Sequence, residues 1–285
     1  MTTPLDNNRL IQTFAALRSA GKKTLLPFIT AGYPDLDTTL DLLKDFASRG
    51  VRVCELGVPF SDPVADGPVI QASYTEALNR GVTTAGIFDV VRRFRAWEST
   101  NRPSTIDNRQ LSLLTMVSYS IVFRRGVRAY MEQAAAAGVD GLIIPDLPLG
   151  EAADVESLAA EMGLANVMLI APTTPPQRRL EIAAHSRGFI YYMSIAGITG
   201  ERTALPEATI SAVTELRQHT GTPICVGFGV SNAQTVAAVC RAADGAIVGS
   251  AIVHRLSDAI KQGLNRAATV KAVGEFVGQL LEPVK

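Results

Sequence analysis

Short apolar, β-branched runs alternate along this chain with longer segments whose apolar positions recur at helical spacing. The runs Leu25–Thr30, Val51–Glu55, Leu111–Ser118, Gly141–Pro145, Val167–Ala171, Phe189–Met193, Pro223–Gly227 and Ala246–Gly249 read as buried strands. Helices are expected at Asp37–Arg49, Thr83–Trp97, Val127–Ala137, Glu151–Met162, Pro176–His185, Leu205–His219 and Asn232–Arg241, with two more near Ala251–Gln262 and Ala267–Leu281. A repeat of roughly 30 residues is the rhythm of parallel βαβ units, and eight alternations point to an α/β fold, a (β/α)8 TIM barrel, as one domain over residues 1–285. Three helix-to-strand turns echo one another: Arg49-Gly-Val-Arg-Val53, Ala137-Gly-Val-Asp-Gly-Leu-Ile-Ile144 and Ala243-Asp-Gly-Ala-Ile-Val248. Such turns serve any parallel α/β sheet, so a doubly wound open sheet stays as the alternative. Glu98–Gln110, polar and holding Arg102-Pro103-Ser104, reads as a surface insertion before the third strand.

Composition narrows the class. The 285 residues are 47% hydrophobic and 19% charged with a formal net charge of zero, which describes a soluble globular chain with ample core. Scattered basic residues and few aromatics give no footprint for a nucleic-acid partner. No apolar run approaches the ~20 residues needed to span a bilayer, and the first residues lack the apolar stretch of a signal peptide, so a cytoplasmic location is expected. Cys54, Cys225 and Cys240 are far apart and read as small buried hydrophobes, and the dispersed His185, His219 and His254 suggest no metal site.

The candidate chemistry lies in Glu55-Leu-Gly-Val-Pro-Phe-Ser-Asp-Pro-Val-Ala-Asp-Gly-Pro68, where two acids flank a turn stiffened by Pro59 and Pro63. Glu55, expected at or near the C-terminal end of its strand, would lose hydration in the barrel mouth and hold its proton more tightly, and Asp66 would follow in different surroundings, so the two acids could take different protonation roles. The structural alternative makes Glu55 an ion-pair partner and Asp62 and Asp66 turn or cap residues. A second constellation, Gly227-Phe-Gly-Val-Ser231 and Val248-Gly-Ser-Ala251, sits after the seventh and eighth strands, where barrels commonly bind phosphate. Ser250 is read as a hydroxyl donor that can also cap the following helix. Residues 194–206, with Gly hinges and a terminal proline, read as a lid.

From about Leu10 to Leu281 the chain resembles the tryptophan synthase alpha-chain family. The acid loop carries most of that resemblance, supported by Leu26-Pro-Phe-Ile-Thr-Ala-Gly-Tyr-Pro-Asp35, Ile144-Pro-Asp-Leu-Pro148, Ala171-Pro-Thr-Thr-Pro175, Gly197-Ile-Thr-Gly200, Gly227-Phe-Gly-Val-Ser231 and Gly249-Ser-Ala-Ile252. It implies a lyase of tryptophan biosynthesis: retro-aldol cleavage of indole-3-glycerol phosphate to indole and glyceraldehyde 3-phosphate. It further implies Glu55 as the acid/base and Asp66 as the carboxylate beside the indole N–H. Tyr191 and Thr199 match the family's active-site tyrosine and lid threonine, and Gly200, Phe228, Gly229, Gly249 and Ser250 its phosphate cradle. Whether Tyr191 or Tyr192 faces inward depends on strand register. The resemblance implies no cofactor in this chain, and a tryptophan synthase beta chain as partner, carrying pyridoxal phosphate in an alpha2-beta2 complex with Asp62 and Pro63 near the contact.

The departures from the family pattern cluster at Met116-Val-Ser-Tyr-Ser-Ile121. There Ser118 stands where the family has a pocket tyrosine, and Ser120 and Ile121 replace an Asn-Pro pair. Cys54 replaces an aliphatic residue, and Glu98–Gln110 is longer than the pattern. These differences leave two further readings open, a free-standing indole-releasing lyase and a catalytically weakened binding or regulatory subunit, with a sugar-phosphate isomerase more distant.

Overall fold

The computed structural model describes residues 4–63, 66–101, 110–194, 206–227 and 229–285. Its elements in chain order are α1 (Arg9–Ser19), β1 (Thr24–Thr30), α2 (Leu36–Arg49), β2 (Val53–Gly57), α3 (Pro68–Asn79), α4 (Thr84–Thr100), β3 (Ser112–Met116), α5 (Tyr119–Arg125), α6 (Val127–Ala137) and β4 (Gly141–Ile143). There follow α7 (Leu149–Glu161), β5 (Ala165–Ile170), α8 (Pro176–Ala184), β6 (Ile190–Met193), α9 (Glu207–His219), β7 (Ile224–Gly227), α10 (Ala233–Ala242), β8 (Gly245–Val248), α11 (Ser250–Lys261) and α12 (Arg266–Leu281).

The eight strands pair in parallel in sequence order, and β8 returns to β1 through Thr24↔Gly245 to Pro27↔Val248. That last ladder closes the barrel and removes the open-sheet alternative. All seven residues of β1 are buried, which explains its unbroken apolar run: one side chain in two faces the barrel interior and the next faces the helices. Local signals set the helix limits. Asp35 caps α2 by accepting the Thr38 amide at 2.7 Å, and Gly50 ends it at φ 91°, a left-handed conformation that glycine adopts without a Cβ clash.

The N-terminal mouth is plugged by α1. Leu10, Phe14 and Leu17 join the interior core, with the Phe14 and Phe189 rings 5.5 Å apart, and each such burial contributes about 1.5–3 kcal/mol. Asn8 caps α1 and donates from its amide to the carbonyls of Asp140 and Gly163 at 2.6 and 2.7 Å. Beside it Arg95 bridges Asp140 at 2.6 Å and Glu98 at 2.8 Å, while Arg9 reaches Asp140 at 2.7 Å. Glu98 also accepts the Leu111 amide and Asp140 the Leu113 amide, so this ionic clasp fixes the start of β3. The end opposite the plug is left for function.

Several expectations need correction. β2 runs Val53–Gly57 rather than Val51–Glu55, so Glu55 is mid-strand and deeper in the barrel than at its rim. β3 ends at Met116, and Ser118 caps α5 instead of extending the strand. Helices α1, α3 and α5 were not anticipated. α5 has seven residues, too few to display a period, and α3 opens on Pro68-Val-Ile, whose β-branched pair reads as strand or turn. Glu98, placed in the insertion, lies in α4 and is 7% exposed. Residues 102–109 and most of the expected lid lie outside the described residues.

Candidate active site

Alternation along β2 turns Val53, Glu55 and Gly57 inward. Glu55 is fully buried, its ladder partners are Phe28 and Leu114, and among the described residues neither carboxylate oxygen has a hydrogen-bond partner. Loss of hydration therefore raises its pKa well above the usual carboxylate range. An ion-pair role, the structural alternative, has no cation here to support it. An orphaned buried carboxyl costs stability, and such groups concentrate where a protein does chemistry.

Asp66 approaches from the loop ahead of α3. Its amide donates to the Pro63 carbonyl at 3.1 Å, and Gln71 on α3 donates to the carbonyls of Asp66 at 2.8 Å and Pro63 at 3.2 Å, clamping the loop. Burial pushes Asp66 up to about 6, whereas Asp62 is exposed. Two carboxyls thus sit in different surroundings: one held neutral by the barrel interior, the other ionised near neutrality.

Strand register settles the tyrosine pair. Tyr191 belongs to the interior core and Tyr192 to the outer one beneath the helices. The Tyr191 hydroxyl rests on Gly227, where a Cβ would come within 2.6 Å of the oxygen. Burial, then Glu55 and Asp66, hold the Tyr191 phenol well above its usual pKa, which puts all three groups in one neighbourhood.

Gly229, at φ 78°, follows β7, and Gly249 ends β8 as the residue before α11. Asn232 and Thr235 form a closed capping box on α10, whereas α11 has no side-chain cap and so presents open amides at its start. Ser250 is not the cap that the sequence suggested. It is already helical as the first residue of α11, and a capping residue needs extended backbone to turn its hydroxyl onto later amides. Thr199, Gly200 and Phe228 lie outside the described residues. Phe28 joins the two halves: its ring fills the space where a Gly57 Cβ would stand, and a Gly249 Cβ would touch it at 3.5 Å.

A cleft of about 430 Å³, open mouth included, lies at this end of the barrel and is lined by Phe60, Asp66, Tyr74, Met116, Ser118 and Asp146 among others. Among the described residues no group of three or more His, Cys, Asp or Glu is placed to hold a metal ion, and no helix is long and apolar enough to cross a membrane.

The family model described as tryptophan synthase alpha chain matches residues 14–281. The chain belongs to the tryptophan synthase alpha-chain family. A tryptophan synthase alpha chain of Rhodopirellula baltica is 42% identical over 284 residues, covering 99% of this chain and 98% of that one, and one of Chloroflexus aggregans is 45% identical over 249 residues, covering 87% and 90%. Among solved structures, the tryptophan synthase alpha subunit of Legionella pneumophila superposes with a TM-score of 0.84 at 30% identity, covering 97% of this chain and 98% of that one. A tryptophan synthase structure from Mycobacterium tuberculosis gives 0.83 at 30% identity, with 97% and 98% covered.

Within this alpha-chain frame the altered segment after β3 is structurally settled. The Ser118 hydroxyl donates to Asp146 at 2.7 Å and lies 2.9 Å from the Ser120 hydroxyl, while Asp146 also accepts the Tyr119 amide at 2.7 Å. Asp146 thereby ties the turn after β3 to the loop after β4, the work a proline-rigidified turn would otherwise do. Tyr74 is a wall residue that motif reading missed, because it lies on a helix whose existence was not read.

Proposed function

We propose that this chain cleaves indole-3-glycerol phosphate to indole and glyceraldehyde 3-phosphate by a retro-aldol step. The observation that carries the reading is Glu55, a fully buried carboxyl without a partner, in one neighbourhood with the ionisable Asp66 and Tyr191. Breaking the bond between indole C3 and the glycerol arm needs a proton delivered to C3 and another taken from the hydroxyl on the adjacent carbon. A carboxyl held neutral by burial can give the first and, once ionised, take the second. Protonating C3 leaves positive charge on the ring nitrogen, and an ionised Asp66 beside the indole N–H stabilises it.

Gly229, Gly249 and Ser250, with Thr199, Gly200 and Phe228, are assigned to the far end of the substrate. The open start of α11 suits a phosphate, and anchoring it there would align the scissile bond with the acids. Tyr191 is assigned to substrate contact beneath them. The reaction as written moves only protons and one electron pair, so no cofactor is assigned to this chain, and pyridoxal phosphate belongs to the β chain of the family. We assign that β chain as the partner in an alpha2-beta2 complex. Asp62, exposed in the lining of the cleft, and Phe123, 66% exposed on α5, suit such a contact. A cytoplasmic setting completes the reading.

The deciding experiment is indole release from indole-3-glycerol phosphate by the purified chain and by Glu55→Gln, which keeps the shape of the side chain and removes its proton chemistry. A loss of about 10²- to 10⁴-fold is expected. Retained turnover in the variant would remove Glu55 from the mechanism.

A further inference from the structure

Tyr74 is buried on α3, 3% exposed, and its side chain lines the cleft beside Asp66, Met116 and Ser118. Its hydroxyl oxygen would lie 2.7 Å from a Cβ at Gly57, two residues beyond Glu55 on the same inward face of β2. The preceding residue fixes this placement: the Ser73 hydroxyl lies 2.6 Å from that of Thr30 on β1 and donates to the Ile70 carbonyl at 2.7 Å, which locks the rotation of α3 against the barrel. No hydrogen bond holds the Tyr74 hydroxyl among the described residues. Burial first, then Asp66 and Glu55, raise its pKa well above the usual phenol value, so both carboxyls are close enough to feel it.

The same cleft lacks a ring on the β3 side. Ser118 is small, and its hydroxyl is engaged by Asp146 and Ser120. A flat aromatic substrate packs well on another ring, and among the residues of this cleft only Phe60 and Tyr74 carry one, Tyr74 being the ring that lies near both acids. We propose that Tyr74 is the aromatic wall of the substrate cleft in this chain, packing on the indole ring from α3 beside Asp66. The ring is thereby supplied from α3, across the cleft from Ser118. This rests on the cleft being the indole-3-glycerol phosphate site, and it adds a substrate-contacting residue to that site.

The test is binding of indole-3-propanol phosphate, an uncleavable probe lacking the reactive hydroxyl, measured by calorimetry alongside indole release. The full-length wild type is compared with Tyr74→Leu and Tyr74→Phe, each checked for a wild-type melting profile. Tyr74→Leu, which fills the volume without a ring, should weaken the probe about tenfold and raise KM similarly. Tyr74→Phe should keep probe affinity within about twofold, because the ring and not the hydroxyl makes the contact. Tyr74→Phe changes one buried atom and so remains informative if the leucine variant does not fold. Wild-type affinity in Tyr74→Leu, or a tenfold loss of affinity in Tyr74→Phe, overturns the proposal. A wild-type chain that neither binds the probe nor releases indole overturns the functional reading itself, a result distinct from either variant outcome.

Discussion

At the scale of single residues, the site sets stability against chemistry. Glu55 and Asp66 are carboxyls that folding strips of water, and among the described residues Glu55 finds no hydrogen-bond partner, so the ionised form of each weakens the fold. For Asp66 the sign follows from its shift: with a folded pKa of about 6 against 3.8 in its ordinary setting, folding favours the protonated form. Its contribution to stability is complete below about pH 4 and is lost as the pH rises through about 6. Asp66→Asn should therefore raise the melting temperature by about 2–6 °C near pH 7 and leave it unchanged near pH 4. The same variant should lose indole release, and the wild-type kcat/KM should fall below about pH 6 as Asp66 takes up its proton. A thermal scan at the two pH values checks the first, and a pH profile the second. Both acids were legible in the sequence from their spacing around a proline-stiffened turn. The absence of any partner for Glu55 was not, because partners come from other strands.

At the scale of elements, the barrel divides labour between its two ends. The N-terminal end is closed by α1 and by the clasp of Arg9, Arg95, Glu98 and Asp140, and the opposite end carries the acids and the glycine turns. Arg95→Ala should leave Glu98 unpaired and Asp140 with Arg9 alone. The expected destabilisation is about 3–5 kcal/mol by denaturant unfolding, while kcat and KM measured well below the melting transition stay within about twofold. A large change in kcat without a change in stability would tie the clasp to the active site instead. The strands were legible because residues buried on both faces make continuous apolar runs, and the capped helix α2 because Asp35 and Gly50 punctuate it. Helices α3 and α5 were not. Their positions are imposed by what they cover: Ser73 bonded to Thr30, and the amides of Tyr119 and Ser120 held by Asp146 and Ser118.

At the scale of the whole molecule, the proposed function gives the open end of the barrel two jobs, binding substrate and meeting a partner. With Asp62 exposed in the lining of the cleft and Phe123 exposed on α5, whose cap Ser118 also lines it, a β chain docking there would bear directly on the Asp66 loop and α5. Adding a β chain should raise kcat for indole release at least about tenfold, through the placement of Asp66, and Phe123→Ser should weaken the complex while leaving the isolated chain's activity intact. Titration of activity against β-chain concentration measures both, and full activity of the isolated chain would point to a free-standing lyase. What the sequence by itself determined is the eightfold strand and helix rhythm, the family and the placing of two acids around one proline-stiffened loop, because these are written in local pattern and contiguous motifs. Only the tertiary structure decided that the sheet closes through β1 and β8, that Glu55 lies mid-strand without a partner, that Tyr191 rather than Tyr192 faces inward, and that Tyr74 joins the cleft. Each of these is a relation between segments distant along the chain, fixed by strand register and by which helix face meets the barrel, and neither is encoded in any one stretch of residues.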